Sequence, residues 1–311
     1  MAANDISVNK KHNGVFQVAM SYAIWGILPL YWKTLKMIPS DQIIAHRIIW
    51  SFVFVAILLA VTKGFGNLRS TLKNGRDMVI ITAAAILIAV NWYTYIWAVN
   101  SNHILESSMG YYINPLMSVL LGVAVLKEKL DIYSYIAFFM AAAGIIIITL
   151  KYGQIPWVAL LMALTFALYG LLKKLVKASA TIGLALETSI LAPFAVAYIL
   201  WTERVGTGAL SKLPLPILLV LLCAGLVTAT PLLLFASGAK NVELSTLGFL
   251  QYISPTISLF LGIFLYKEKF TAVEAVSFGL IWTGLLIFSL SRFEFFRKLV
   301  PLRSKYSMNQ D

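Results

Sequence analysis

Ten apolar stretches, each near the length of a membrane-crossing helix, follow one another through almost all of this 311-residue chain. They fall at 15–35, 43–62, 78–99, 104–126, 133–150, 156–172, 181–201, 214–238, 245–266 and 272–291. A bilayer core offers no water to free backbone groups, so spans of this length close their hydrogen bonds internally, as helices. The expected fold class is therefore all-α: a polytopic membrane protein with ten transmembrane helices. Hydrophobic residues make up 60% of the chain and charged ones 12%, about half the charged share of a soluble domain. The connections are too short to hold a soluble domain, and the first apolar run reads as a retained helix, because no small-residue cleavage site follows it.

The net charge of +12 is concentrated between the spans. With a cytoplasmic N-terminus, 17 Lys and Arg fall on the cytoplasmic side and 8 on the other. The positive-inside rule then places both termini in the cytoplasm. Short basic connections and the tail around Arg297, Lys298, Arg303 and Lys305 speak for orientation and anionic lipid rather than nucleic acid. Cys223 is the sole cysteine, so no internal disulfide forms. Neither a metal-ligand spacing nor a phosphate-binding glycine loop occurs, and no cofactor is expected.

Shifting the chain by 140 residues lays Tyr112-Ile113-Asn114-Pro115 on Tyr252-Ile253-Ser254-Pro255 and Lys127-Glu128-Lys129 on Lys267-Glu268-Lys269. Ser118, Gly122 and Gly144 match Ser258, Gly262 and Gly284, and Trp25-Gly26 matches Tyr169-Gly170 at a slightly different offset. The chain reads as one five-helix unit written twice, over 1–150 and 151–311. Five is odd, so the second copy enters the membrane from the opposite face. Inverted repeats of this kind provide two nearly equivalent arrangements around a site near the midplane.

This organisation, with a proline in the fourth and ninth spans, resembles the EamA branch of the drug/metabolite transporter superfamily. Trp25-Gly26, His46-Arg47, Asn91-Trp92, the run 105–116 (LESSMGYYINPL) and the run 245–253 (STLGFLQYI) look like the RarD-type permeases of that group. The resemblance covers nearly the whole chain. It implies a bacterial inner-membrane permease, with chloramphenicol-related compounds as one suggested cargo.

Candidate substrate contacts come from polar, aromatic and ionisable residues inside the spans. The fourth span carries Ser107, Tyr111, Asn114, Ser118 and Gly122 at helical spacing, with Tyr112 beside them. Its repeat partner carries Leu247, Gln251, Ser254, Ser258 and Gly262, with Tyr252 beside them. Ser118, Gly122, Ser258 and Gly262 suit close helix packing, whereas Tyr111, Asn114, Gln251 and Tyr252 suit a cavity wall. Pro115 and Pro255 are expected to kink the two helices at mid-stripe. Ionisable groups within spans carry an insertion cost of roughly 2.5–3.5 kcal/mol for Arg or Asp at a helix centre. His46, Arg47, Asn91, Tyr95 and Glu106 are therefore read as one half-site, and Glu187 as the counterpart of His46 in the other half. Snorkelling of Arg47 and a helix-start role for Glu106 remain open. Trp25, Trp92 and Tyr169 add flat surfaces for an amphipathic substrate, and the two Lys-Glu-Lys turns read as interfacial anchors with Glu128 and Glu268 paired locally.

The expected function is alternating-access transport of a small organic molecule, with membrane lipid as the surrounding partner. An intramembrane enzyme acting on a lipid or lipid-linked substrate is the competing class, against which stands the lack of a Ser/His, paired-Asp or His-rich constellation within the spans.

Overall fold

The computed structural model describes residues 2–62, 65–100, 104–153, 155–267 and 271–291, with side chains placed from residue 10 onward except at 65–67, 96, 99–100, 104–108, 152 and 291. All regular structure in these residues is helical: α1 Ala2–Thr34, α2 Ser40–Val61, α3 Phe65–Lys73, α4 Gly75–Asn100, α5 Ile104–Ala124, α6 Ile132–Tyr152, α7 Trp157–Leu175, α8 Ala180–Arg204, α9 Ala209–Lys212, α10 Leu215–Leu222, α11 Ala224–Ala239, α12 Leu244–Gln251, α13 Ile253–Phe260 with a π turn at Leu261–Leu265, and α14 Ala272–Ser291. Nine helices or broken helices among the described residues are long and apolar enough to cross a membrane. Helix α5 also has spanning length, and its described apolar part is Met109–Ala124.

Two of the expected spans are interrupted. The eighth breaks at Cys223, between α10 and α11, and the ninth at Tyr252, between α12 and α13. Pro255 explains the second break, because its nitrogen has no proton to return to the Gln251 carbonyl one turn earlier. Pro115, at the matching place, lies inside an uninterrupted α5. Proline is tolerated within such a helix where neighbouring helices and local adjustment satisfy the freed carbonyl.

The chain divides into two compact units. The larger holds residues 1–128 and 156–269, hence α1–α5 and α7–α13. Within it α5 packs on α7 and α12, α4 on α7, α1 on α11 and α13, and α2 on α8 and α11. Absent side chains permit close crossings. A Cβ on Gly248 of α12 would lie 2.6 Å from the Pro115 carbonyl oxygen of α5, and one on Gly26 of α1 would lie 2.7 Å from Cβ of Ile257 on α13.

The smaller unit holds α6 and α14. Their contact is reciprocal: Gly144 of α6 faces the Ser277 carbonyl of α14, and Gly284 of α14 faces the Ala137 carbonyl of α6. A Cβ there would sit 2.6 and 2.9 Å from those oxygens, so the two matched glycines set how closely the helices approach. Asp131 caps α6 by accepting from the Ser134 N–H at 2.8 Å. A capping box starts α14: the Thr271 N–H donates to Glu274 Oε2 at 2.7 Å, and the Glu274 N–H to Thr271 Oγ1 at 3.3 Å.

Candidate functional site

One face of α1 supplies the first wall of a cavity inside the larger unit. Tyr22, Trp25, Pro29 and Trp32 follow one another at helical steps and all line it, and Lys36 continues the line into the connection to α2. The cavity measures about 480 Å³, within the range of small-molecule sites. Helix α2 adds Ile43, Ile44 and Arg47, α4 adds Asn91, Trp92 and Tyr95, and α5 adds Tyr111, Tyr112 and Asn114. The remaining wall includes Phe166 of α7, Thr228 of α11, Gln251 of α12 and Ser254 of α13.

Arg47 is the charged centre of this wall. Its Nε–H donates to Thr228 Oγ1 at 3.1 Å, and its Cζ lies 4.8 Å from the Trp32 ring centroid and 4.7 Å from that of Trp92. Both distances fall within cation–π range. Beside it the Tyr95 and Tyr111 rings meet edge-on with centroids 6.4 Å apart.

An aromatic cluster forms the cavity floor. The Trp25 ring lies 5.7 Å from both Phe166 and Phe235, and Tyr22 lies 6.0 Å from Phe235. Beneath them Tyr169 stacks on Phe235 at 6.0 Å and donates its hydroxyl to Glu187 Oε2 at 3.2 Å. Glu187 pairs with Lys173, and both side chains are buried. Lys173 lies just past the apolar stretch 156–172 but belongs to the last turn of α7, where a four-carbon stem carries its ammonium to Glu187.

Further from the cavity, charged side chains fasten the connections to one another. Glu128, which follows α5, accepts from the Leu244 N–H at 2.6 Å and the Ser245 N–H at 2.8 Å. It thus caps α12, where free amide protons and the helix dipole favour a carboxylate, and does not pair locally as expected. Gly122 makes room for it, since a Cβ there would lie 2.6 Å from the carboxylate. Glu268 lies outside the described residues. Lys174 donates to the Val242 carbonyl, Lys240 donates to the Ala178 carbonyl, and Asp77 accepts from the Lys177 N–H at 3.2 Å. Partial burial, with Lys173 nearby, draws the Lys240 ammonium below the ordinary lysine pKa.

The residues singled out from sequence separate into groups. Trp25, Arg47, Asn91, Trp92, Tyr95, Tyr111, Tyr112, Asn114, Gln251 and Ser254 all meet at the cavity. Asn91 also spends its amide donors on α7, reaching the Met162 carbonyl at 2.8 Å and Thr165 Oγ1 at 3.0 Å. Four residues stand behind the wall. His46 is buried and accepts from Trp50 Nε1 at 3.2 Å, Tyr252 is buried with its hydroxyl on the Tyr112 carbonyl at 3.3 Å, and Tyr169 and Glu187 lie below the floor. The side chain of Glu106 lies outside the described residues. Sequence reasoning passed over Tyr22, Trp32, Phe166 and Thr228 as site residues. The step from Tyr22 through Trp25 and Pro29 to Trp32 is the signal that marks the first two.

Nine apolar spans among the described residues and a polar, aromatic cavity lined by helices define a multi-pass membrane protein with an internal cavity. The chain belongs to the EamA-like transporter family, whose sequence profile matches residues 12–150 and again 155–290. It is 49% identical over 283 residues to the uncharacterized transporter YojE of Bacillus subtilis, covering 90% of this chain and 94% of that one. It is 37% identical to protein RarD of Escherichia coli, over 91% of this chain and 96% of its relative. It is 26% identical to the chloramphenicol-sensitive protein RarD of Pseudomonas aeruginosa, over 88% and 92% of the two chains. A solved crystal structure at 18% identity superposes with a TM-score of 0.69 over 90% of this chain and 98% of its own, a likeness of fold.

Proposed function

We propose that the protein is a carrier of small organic molecules, in the drug or metabolite range, that works by alternating access between two inverted five-helix halves. Its ten spans lie in the bacterial inner membrane with both termini in the cytoplasm. The observation that carries this reading is a cavity that reaches the α1–α2 connection yet ends, toward the other side, on an aromatic floor backed by Lys173–Glu187 and the fastened connections.

Helix pairing supports the inverted halves. Exchanging the first five spans with the second five turns the α1–α11 contact into α7–α4, the α1–α13 contact into α7–α5, and the α2–α11 contact into α8–α4; all of these occur. The α2–α8, α5–α12 and α6–α14 contacts map onto themselves. That is the contact pattern expected of two like units related by a two-fold axis. The twice-matching family profile agrees with it, and the relatives named as transporters support the carrier reading.

Two measurements test the proposal. Single cysteines at Lys127 and Lys267, in a Cys223→Ala background, are expected to label from opposite faces with an impermeant thiol reagent; equal accessibility would contradict inverted halves. Purified protein in liposomes is expected to give saturable uptake and counterflow of at least one compound from a metabolite mixture. Chloramphenicol belongs in that screen because of the Pseudomonas relative's name. Flux that never saturates and shows no counterflow would mark a channel instead.

A further inference from the structure

We infer that the cavity selects organic anions, and that Arg47 receives the carboxylate of a substrate whose planar apolar part lies among the aromatic walls. The inference rests on the reading of this cavity as the cargo site. Two cations line it, Arg47 and Lys36, and no Asp or Glu does so among the described residues. A guanidinium within a membrane-spanning helix is costly unless an opposite charge or several acceptors satisfy it. Among the described residues the hydrogen-bond acceptor for Arg47 is Thr228, which takes the Nε–H. The guanidinium end opposite Nε is left with the two-pronged donor geometry that fits a carboxylate.

The surroundings favour the same ligand. Trp32 and Trp92 lie over the guanidinium at cation–π distance and take none of its donors in a hydrogen bond. The Tyr95 and Tyr111 rings are partly open to the cavity, so their hydroxyls are available to donate to an anionic oxygen. Asn114 and Gln251 stand farther along the wall and suit neutral polar atoms of the same molecule. The buried acid, Glu187, is already paired with Lys173 below the floor and is not offered to a cationic cargo.

The test uses three ring compounds of nearly one shape: benzoate, benzamide and benzamidinium, which are negative, neutral and positive. Each is titrated calorimetrically into the full-length protein in lipid nanodiscs at neutral pH. Benzoate is expected to bind saturably and about tenfold or more tightly than benzamide, with benzamidinium weakest. Arg47→Gln is expected to abolish the preference for benzoate, and Arg47→Lys, which keeps the charge but loses the fork, to retain part of it. Equal or tighter binding of benzamide or benzamidinium, binding of none of the three at millimolar concentration, or an undiminished benzoate preference in a folded Arg47→Gln protein would each overturn the inference. The comparison on the unaltered chain stands even if a variant does not fold. Binding is read without transport, so benzoate binding with no flux of any solute would support the anion site and count against the carrier.

Discussion

The two ends of the larger unit use charge in opposite ways. Toward the α7–α8 and α11–α12 connections, every charged group described above is engaged: Glu128 with two N–H groups of α12, Lys174 and Lys240 with carbonyls, Asp77 with an N–H, and Lys173 with Glu187. Toward the α1–α2 connection Arg47 keeps most of its donors uncommitted among the described residues, while its neighbours are tied: Tyr198 donates to Asp41, Gln42 to the Thr207 carbonyl at 2.8 Å and Tyr31 to the Val220 carbonyl, and Lys33 Nζ lies 3.2 Å from the Tyr266 ring centroid. The difference separates two jobs within one helical unit. Satisfied charges fix helices, and an unsatisfied charge beside a cavity is available to a ligand.

The strongest way to break this comparison is at Lys173 and Glu187. Removing one partner leaves a buried charge alone, so Glu187→Gln or Lys173→Met is expected to lower stability by about 3–5 kcal/mol, while the joint replacement Lys173→Met/Glu187→Leu recovers most of that loss. Thermal unfolding in detergent of the two single variants and the double reads the coupling. Strictly additive losses would remove the pair from the fastened end.

Next in size is Gly248→Ala, whose methyl would press on the Pro115 carbonyl and cost about 1–3 kcal/mol by forcing α12 from α5. An unchanged melting temperature would show that this crossing has room to give. Glu128→Ala is expected to cost about 1–2 kcal/mol, the range for a lost helix cap, with Glu128→Gln milder because one oxygen acceptor survives. Amide exchange at Leu244 and Ser245 localises the effect.

The smallest stability effects are expected at the cavity, where Asn114→Ala and Gln251→Ala should cost under about 1 kcal/mol while weakening substrate binding several-fold. Large destabilisation with unaltered binding would move both residues to the structural side of the comparison.

The helical framework and part of the cavity wall were legible in the chain, and the failures have physical causes. Long apolar runs announce helices because lipid leaves the backbone no other partner. The polar stripe of the fourth span led to Tyr111 and Asn114 because helical spacing fixes which residues share a face. His46 and Tyr252 were read into the cavity from polarity alone, but polarity does not say whether a neighbour such as Trp50 or the Tyr112 carbonyl already satisfies the group. Lys173 fell just past the sixth span and Glu128 read as a locally paired anchor, because local sequence carries no sign of partners 14 and 116 residues away. Thr228 was missed because it and Thr230, two residues apart in an otherwise apolar span, share no helical face and so draw no stripe.

The turn that delivers Glu128 has a mechanical side. Lys127, immediately before it, holds a left-handed backbone with φ of +56°, and Lys267 repeats this at +58°. A residue with a Cβ in that region lies roughly 1–2 kcal/mol above its right-handed state. The torsion is held by the Glu128 N–H on the Gly122 carbonyl at 3.0 Å and by the carboxylate on α12. The turn is therefore closed by its own backbone, and its carboxylate carries that geometry across to α12, so one local bend at the end of α5 fixes where a helix 116 residues later begins.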